Sequence, residues 1–323
     1  MTISTRVTEM LGIRHPVLLA PMDLVSDGKL AATVSRAGGF GIIGAGYGEE
    51  RWLKRQLETA NPATVGVGFI TWSMAKNPHL LDIALERKPR AIMLSFGELK
   101  PHSDKIKKAG AKLICQVQTL AHAEEALAND ADVIVAQGAE AGGHGVSRGT
   151  FPFVPAVVDI AKGVPVVAAG GVADGRGLAA ALMLGASGVL MGTRFLASVE
   201  AAADDNAKKG LVAASGDRTI RSILFDIVRR NVWPAPYTGR VLQNEFSERW
   251  RGREAELVQN QAAEANHFSE AKRKGDYTTA AIIAGEGVDL IDDILPAAQI
   301  VERTVAEASR LLGSASNRYR IVA

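Results

Sequence analysis

The sequence contains the run Val164-Pro165-Val166-Val167-Ala168, in which every residue is apolar. Such a run is typical of a parallel strand covered by helices, because neither face of the strand meets water. The run is followed by a glycine-rich loop, residues 169–175, and then by a helix-length segment, Gly175–Leu184. This order of strand, loop and helix predicts the repeating unit of a parallel α/β fold.

Seven further apolar runs have the length of strands. The eight predicted strands are Val17–Ala20, Gly41–Ile43, Val65–Phe69, Ala91–Leu94, Leu113–Val117, Val133–Ala136, Val164–Ala168 and Gly188–Met191. The predicted helices between them are Lys29–Ala37, Glu50–Thr59, Pro78–Glu86, Ser103–Ala109, Leu120–Ala128, Pro155–Ala161 and Gly175–Leu184. Eight strands separated by helices predict an α/β protein of the (β/α)8 TIM barrel class. An open doubly wound sheet has the same alternation, and the count of eight favours the barrel.

After the eighth predicted strand the alternation ends, and residues 200–286 contain no segment with a strand pattern. The helices predicted from here on are Ala201–Lys209, Ile220–Val228, Ser247–Ala265, His267–Arg273 and Pro296–Leu312. We therefore expect a barrel domain made of residues 1–199 and 287–323, with a smaller helical domain, residues 200–286, inserted after the eighth strand. Because loops at the carboxyl ends of barrel strands surround the active site, this insertion would form a lid or substrate wall. Trp233 and Tyr237 are candidates for that wall.

Composition and charge exclude several classes of function. The 323 residues are 47% hydrophobic and 22% charged, which is ordinary for a globular protein. With 37 basic and 35 acidic residues the net charge is +2, so neither nucleic acid nor an anionic membrane is expected as a partner. No signal peptide or membrane span is recognisable, and the lone Cys115 excludes an internal disulfide. We expect a cytoplasmic protein, with a homodimer as the working hypothesis for its oligomeric state.

One loop combines glycines with a histidine. The segment Gln137-Gly138-Ala139-Glu140-Ala141-Gly142-Gly143-His144-Gly145 directly follows the predicted strand Val133–Ala136. Glycines let backbone amides approach a ligand closely, and histidine is the side chain best suited to moving a proton near neutral pH. A lone histidine in a loop is more often structural, but its place after a strand end favours a catalytic role for His144. No histidine pair has metal-ligand spacing, so no metal site is expected.

Three further loops at predicted strand ends carry residues suited to a ligand. Pro21 and Met22 follow the first strand, where proline stiffens the backbone into a shelf for a flat group. The pairs Gly170-Gly171 and Gly192-Thr193 follow the seventh and eighth strands. Barrels commonly bind phosphate there, through backbone amides at the start of a helix. The sequence therefore predicts a phosphate site between the last two strands.

Four motifs, taken in order along the chain, resemble those of the nitronate monooxygenase family, formerly called 2-nitropropane dioxygenase. They are Ala20-Pro21-Met22, the segment 137–145, the segment 169–175 and Met191-Gly192-Thr193-Arg194-Phe195. The likeness runs from Pro16 to Leu196 and resumes at Ala284–Val301. The family includes flavin-dependent enoyl-ACP and quinone reductases. The resemblance implies an FMN-containing barrel with a helical second domain after the last strand.

The resemblance also implies roles for single residues. Pro21 and Met22 would lie against the isoalloxazine ring, Gln116 near its polar edge, and His144 would be catalytic. The residues implied to contact FMN are Pro21, Met22, Gly68, Gln116, Gln137, Gly142, Gly143, Gly170, Gly171, Leu190, Met191, Gly192 and Thr193. Two positions depart from the family pattern. Gly68 stands where many members carry an asparagine that contacts FMN, and Asp23-Leu24 stands where many carry glycines.

Three functions follow as hypotheses. The leading one is FMN-dependent oxidation of alkyl nitronates, or of nitroalkanes, with dioxygen to a carbonyl compound and nitrite. The second keeps the flavin and uses NAD(P)H to reduce a quinone or an enoyl thioester. The third is a flavin-free barrel, an isomerase or lyase acting on a phosphorylated metabolite, which would need the same phosphate loops.

Overall fold

Eight parallel strands form a nearly closed barrel in the computed structural model, which describes residues 2–314. The strands in this part of the chain are β1 (Val17–Leu19), β2 (Ile42–Gly44), β3 (Gly66–Ile70), β4 (Ala91–Ser95), β5 (Lys112–Val117), β6 (Val133–Gln137), β7 (Gly143–Gly145), β8 (Val166–Ala169), β9 (Gly188–Met191), β10 (Thr219–Ser222) and β11 (Thr238–Leu242). The barrel order is β1-β9-β8-β6-β5-β4-β3-β2. Next to β1 and β2, the Phe40 amide donates to Val17 O and the Leu19 amide donates to Phe40 O, both at 2.9 Å. The TIM barrel prediction is confirmed.

Helices cover the outside of the barrel in the expected alternation. The α-helices of residues 2–314, those outside this ring included, are α1 (Arg6–Leu11), α2 (Gly28–Arg36), α3 (Glu50–Ala60), α4 (Thr71–Met74), α5 (His79–Glu86), α6 (Lys100–Lys108), α7 (Leu120–Ala128), α8 (Thr150–Ile160), α9 (Gly175–Met183), α10 (Thr193–Leu196), α11 (Asp205–Val212), α12 (Leu224–Arg229), α13 (Glu245–Trp250), α14 (Glu254–Gln259), α15 (Gln261–Lys274) and α16 (Ala297–Gly313). The last helix, α16, packs against α9 and α2 and completes the outer ring. Among these helices of residues 2–314, none is long and apolar enough to cross a membrane. Residues 1 and 315–323 of the predicted barrel domain lie outside the described residues.

Side chains of the barrel strands alternate between two apolar layers. Leu18 and Met93 point into the barrel, whereas their neighbours Leu19 and Leu94 pack outward against the helices. Val7 of α1 belongs to the inner layer and lies near the start of β9, so α1 fills the barrel from its amino end. The space for a ligand therefore lies at the carboxyl ends of the strands.

The chain between β9 and α16 is not wholly helical, which corrects the prediction for residues 200–286. β10 pairs antiparallel with β11, and β11 also pairs with β7 from the loop after β6. The predicted helix Ile220–Val228 is wrong at its start, because Thr219–Ser222 is a strand and α12 begins at Leu224. These strands are short and carry the polar residues Arg221 and Arg240, so they lack an apolar pattern. A separate apolar cluster in this part of the chain includes Phe225, Phe246, Trp250 and Phe268.

Candidate active site

A cavity of about 400 Å³ lies at the carboxyl ends of the barrel strands. This volume is typical of small-molecule sites. Thirteen of the fourteen predicted site residues line it: Pro21, Met22, Gly68, Gln116, Gln137, Gly142, Gly143, His144, Gly170, Gly171, Leu190, Gly192 and Thr193. The histidine and the two glycine loops therefore share one cavity.

Met191 is the exception, because its side chain does not line the cavity. Successive side chains of a strand point to opposite faces, and Leu190 is the residue of this pair that faces the cavity. Met191 is buried in the outer apolar layer between the strands and the helices. Its carbonyl accepts a hydrogen bond from the Ala20 amide at 2.9 Å, which ties the first and last barrel strands together.

Backbone amides form a cradle at the loops after β8 and β9. Gly170 and Gly171 have φ angles of +103° and +74°, in the left-handed region that favours glycine. Within residues 2–314, the amides of Gly171, Val172 and Gly192 donate to no protein oxygen. Unpaired amides at a concave edge, with no side chains in the way, are suited to an anion such as phosphate.

The amides at the start of α9 are not part of this cradle, although the sequence predicted a free helix N-terminus there. The Asp174 carboxylate accepts from the amides of Arg176 and Gly177, and the Glu307 carboxylate of α16 accepts from the Gly175 amide. Protein carboxylates thus cap this helix end. The free amides lie in the loop that precedes the helix.

The segment 283–287, which lies between α15 and α16, closes one side of the cradle. The Gly285 amide donates to Thr193 Oγ1 at 3.0 Å. The Thr193 hydroxyl acts as an acceptor in this bond, so its own proton remains free for a ligand. A Cβ atom at Gly142 would stand 2.7 Å from the Ala284 carbonyl carbon, so glycine is needed for these loops to touch.

Pro21 and Gly68 form one packed unit at the cavity floor. A Cβ atom at Gly68 would stand 2.6 Å from Pro21 Cγ, well inside van der Waals contact. An asparagine at this position would therefore not fit beside Pro21 as it stands. The shelf is further fixed by Ser26, whose hydroxyl donates to Ala20 O at 2.6 Å and accepts from the Met22 amide at 3.1 Å.

Three glutamines hold each other beside the histidine loop. Gln116 Nε2 and Gln118 Nε2 donate to Gln137 Oε1 at 2.6 and 2.8 Å. Gln137 Nε2 donates in turn to His144 O at 3.1 Å. The predicted pair Gln116 and Gln137 is therefore brought together, and Gln118 is a supporting residue that sequence reasoning missed.

His144 lies where the barrel meets the chain between β9 and α16. β7 pairs with β11, which places His144 opposite Gly239. Nε2 of His144 lies 2.9 Å from Oδ2 of Asp226, and the two side chains are only 9% and 8% exposed. The imidazole stacks on Trp233 with ring centroids 3.5 Å apart and planes 6° from parallel. Sequence reasoning missed Asp226, which lies 82 residues further along the chain.

An aromatic wall stands behind this stack. Trp233 Nε1 donates to the Tyr47 hydroxyl at 2.9 Å. Phe96 lies edge-on to Trp233 and to Tyr237, with ring centroids 5.1 Å apart in both pairs. Burial raises the pKa of Tyr47 to about 12, so its hydroxyl stays protonated at neutral pH. The wall keeps the histidine ring in place and shields one side of the cavity from water.

The sequence matches the model of one protein family. The family model described as nitronate monooxygenase matches residues 4–84 and 49–307. A nitronate monooxygenase of Neurospora crassa is 34% identical over 91% of this chain and 89% of the relative. The (3aS,4S,5R,7aS)-5-hydroxy-7a-methyl-1-oxo-octahydro-1H-indene-4-carboxyl-CoA dehydrogenase of Rhodococcus jostii is 36% identical over 66% of this chain and 60% of the relative. The structure of FabK from Thermotoga maritima superposes with a TM-score of 0.87 at 32% identity, covering 98% of this chain and 100% of that one.

Proposed function

This chain belongs to the nitronate monooxygenase family, and from that premise we propose that it oxidises alkyl nitronates with dioxygen to a carbonyl compound and nitrite. The family is one of flavin-dependent oxidoreductases, and this chain is an oxidoreductase. The observation that carries the proposal is a shared cavity: His144, Gly171 and Gly192 line the same space at the carboxyl ends of the barrel.

FMN is the flavin we propose for this cavity. Its phosphate fits the cradle, because the amides of Gly171 and Gly192 and the hydroxyl proton of Thr193 are free to donate. Any residue with a β-carbon at position 171 would have to adopt a left-handed φ of +74°, which glycine adopts without strain. When bound, FMN would supply the electron transfer between the nitronate and dioxygen.

The chain's own residues would orient the flavin ring. The shelf of Pro21 and Met22 offers a flat apolar surface, held rigid by Ser26 and by the packing of Pro21 on Gly68. Gln137 is held by Gln116 at the polar side of the cavity. These roles for single residues are proposals, supported by their common location around the cavity.

His144 is the residue we propose to handle charge and protons on the substrate. A nitronate is an anion, and a protonated imidazole, which donates from both ring nitrogens, can hold its charge. A neutral nitroalkane first has to lose its α-proton, which a neutral imidazole can accept. The chain between β9 and α16 would then act as the substrate wall, since its residues Trp233 and Asp226 hold the imidazole ring of His144 from that side.

The test is oxygen uptake and nitrite release after ethyl nitronate is added to the FMN-loaded protein. We expect both with the wild type and a fall of roughly 10- to 100-fold in His144→Ala, which loses a hydrogen bond to a charged group. His79→Ala is the matched control, because His79 is exposed and lies outside the cavity. Near wild-type turnover by His144→Ala would show that the histidine assignment is wrong.

A second candidate is reduction of a quinone or an enoyl thioester by NAD(P)H. The Rhodococcus jostii dehydrogenase supports it, because that relative acts on a CoA thioester, although it matches a smaller part of the chain. Anaerobic mixing with NADH separates the two functions. Rapid bleaching of the bound flavin favours the reductase, whereas an unchanged flavin spectrum favours nitronate oxidation. A colourless protein that FMN does not reconstitute would instead favour the flavin-free isomerase or lyase.

A further inference from the structure

The contact between Asp226 and His144 determines which ring nitrogen carries a proton. An ionised carboxylate only accepts hydrogen bonds, so the nitrogen 2.9 Å from Asp226 Oδ2 has to be the donor. That nitrogen is Nε2, and in a neutral imidazole the other nitrogen, Nδ1, then carries the lone pair. The pair is shielded from bulk solvent, because both side chains are more than nine-tenths buried.

The second ring nitrogen is open to the cavity. Within residues 2–314, Nδ1 of His144 has no hydrogen-bond partner, yet it is not among the fully buried unpaired atoms. His144 lines the cavity, and the stacked Trp233 ring blocks rotation of the imidazole out of this position. A lone pair therefore faces the space that a substrate would occupy.

We propose that Asp226 is a positioning residue that holds His144 as the Nε2–H tautomer, so that Nδ1 removes the α-proton of a neutral nitroalkane. This inference rests on the proposed function, and what it adds is the role of Asp226 in fixing the ring of His144. In the step, the Cα–H bond breaks and the proton moves to Nδ1. The electron pair of that bond moves into the nitro group, which gives the nitronate. The imidazolium formed is stabilised by the neighbouring Asp226 carboxylate.

Two substrates separate this role from a structural one. Nitroethane needs a base, whereas ethyl nitronate has already lost its proton. In Asp226→Asn we expect kcat/KM for nitroethane to fall by about 100-fold or more, because general-base catalysis contributes about that much. Turnover of ethyl nitronate should stay within roughly threefold, since a neutral ring with a proton on Nδ1 can still donate to the anion.

Two further variants serve as controls. Asp226→Glu restores a carboxylate and should recover part of the nitroethane activity. Asp132→Asn removes a partly buried carboxylate that pairs with Lys112 at the opposite, amino end of the barrel strands. It should leave the ratio of the two activities unchanged.

A second readout needs no turnover. Long-range 1H–15N spectra of histidine-labelled protein in alkaline buffer report which nitrogen is protonated, and His144→Ala identifies the signal among six histidines. We expect Nε2–H in the wild type and a shift towards Nδ1–H in Asp226→Asn. A wild-type proton on Nδ1, or an equal loss of both activities in Asp226→Asn, overturns the inference. A wild type that oxidises nitronates but not nitroethane also overturns it and leaves the proposed function standing, whereas failure on both substrates overturns both.

Discussion

Replacing Gly68 by alanine tests how the cavity floor is built. The new Cβ would stand 2.6 Å from Pro21 Cγ, whereas carbon atoms pack at about 3.5–4.0 Å. Pro21 would have to retreat by about 1 Å from a loop that Ser26 fixes by two hydrogen bonds. Overpacking of this kind costs about 1–3 kcal/mol. For a chain of 323 residues, 2 kcal/mol corresponds to a fall in Tm of roughly 3 °C.

The same change should weaken FMN binding, because Pro21 lines the cavity proposed for the flavin and a shift of its ring changes the shape of that cavity. We expect about 1.4 kcal/mol of the strain to remain in the FMN complex and to be relieved in the free protein. This difference raises the Kd for FMN about tenfold. Thermal unfolding followed by circular dichroism and quenching of FMN fluorescence measure the two effects. Gly313→Ala is the control, because a side chain there meets no atom of residues 2–314 within 4 Å. Gly68→Ala with the Tm and the Kd of this control would refute the packing of Pro21 on Gly68.

Two further substitutions and one labelling experiment have defined outcomes. Gly171→Val puts a β-branched residue at φ +74°, which costs about 1–2 kcal/mol; the loop should relieve this strain by leaving the cradle conformation, so fluorescence titration should show FMN binding weakened about tenfold, and wild-type affinity would argue against the cradle. Trp233→Ala removes the stacked partner of His144 and the donor to Tyr47, so we expect nitronate turnover to fall about tenfold with FMN content unchanged; an unchanged oxygen-uptake rate would contradict the positioning role. Burial raises the pKa of Cys115 to about 12, so at pH 8 only about one thiol in 10⁴ is ionised; a disulfide reagent should label it only after denaturation, and fast labelling of the folded protein would disprove its burial.

The barrel could be predicted because its signal is local. Strands such as Val133–Gln137 are buried on both faces, so each is a continuous apolar run that needs no knowledge of its neighbours. The glycine loops could be placed for the same reason, since they follow these runs directly. Met191 differs from the other predicted contacts, because a motif matched to a family does not say which side of a strand each residue faces.

The inserted part and the partner of the histidine could not be predicted in this way. β10 and β11 are four and five residues long and gain their order from pairing with each other and with β7, which a single segment does not reveal. Asp226 lies in the short helix α12, and nothing in the sequence of that helix distinguishes its carboxylate from that of an ordinary surface residue. Asp226 contacts His144 only because the chain folds back on itself, and the two residues are 82 positions apart in the sequence.

The visible absorption spectrum of the purified protein, taken with and without added FMN, tests the central claim most directly. A cavity in which the amide cradle and His144 surround one flavin predicts a yellow protein that binds one FMN per chain. A colourless protein whose added FMN keeps the spectrum of the free flavin would contradict the account.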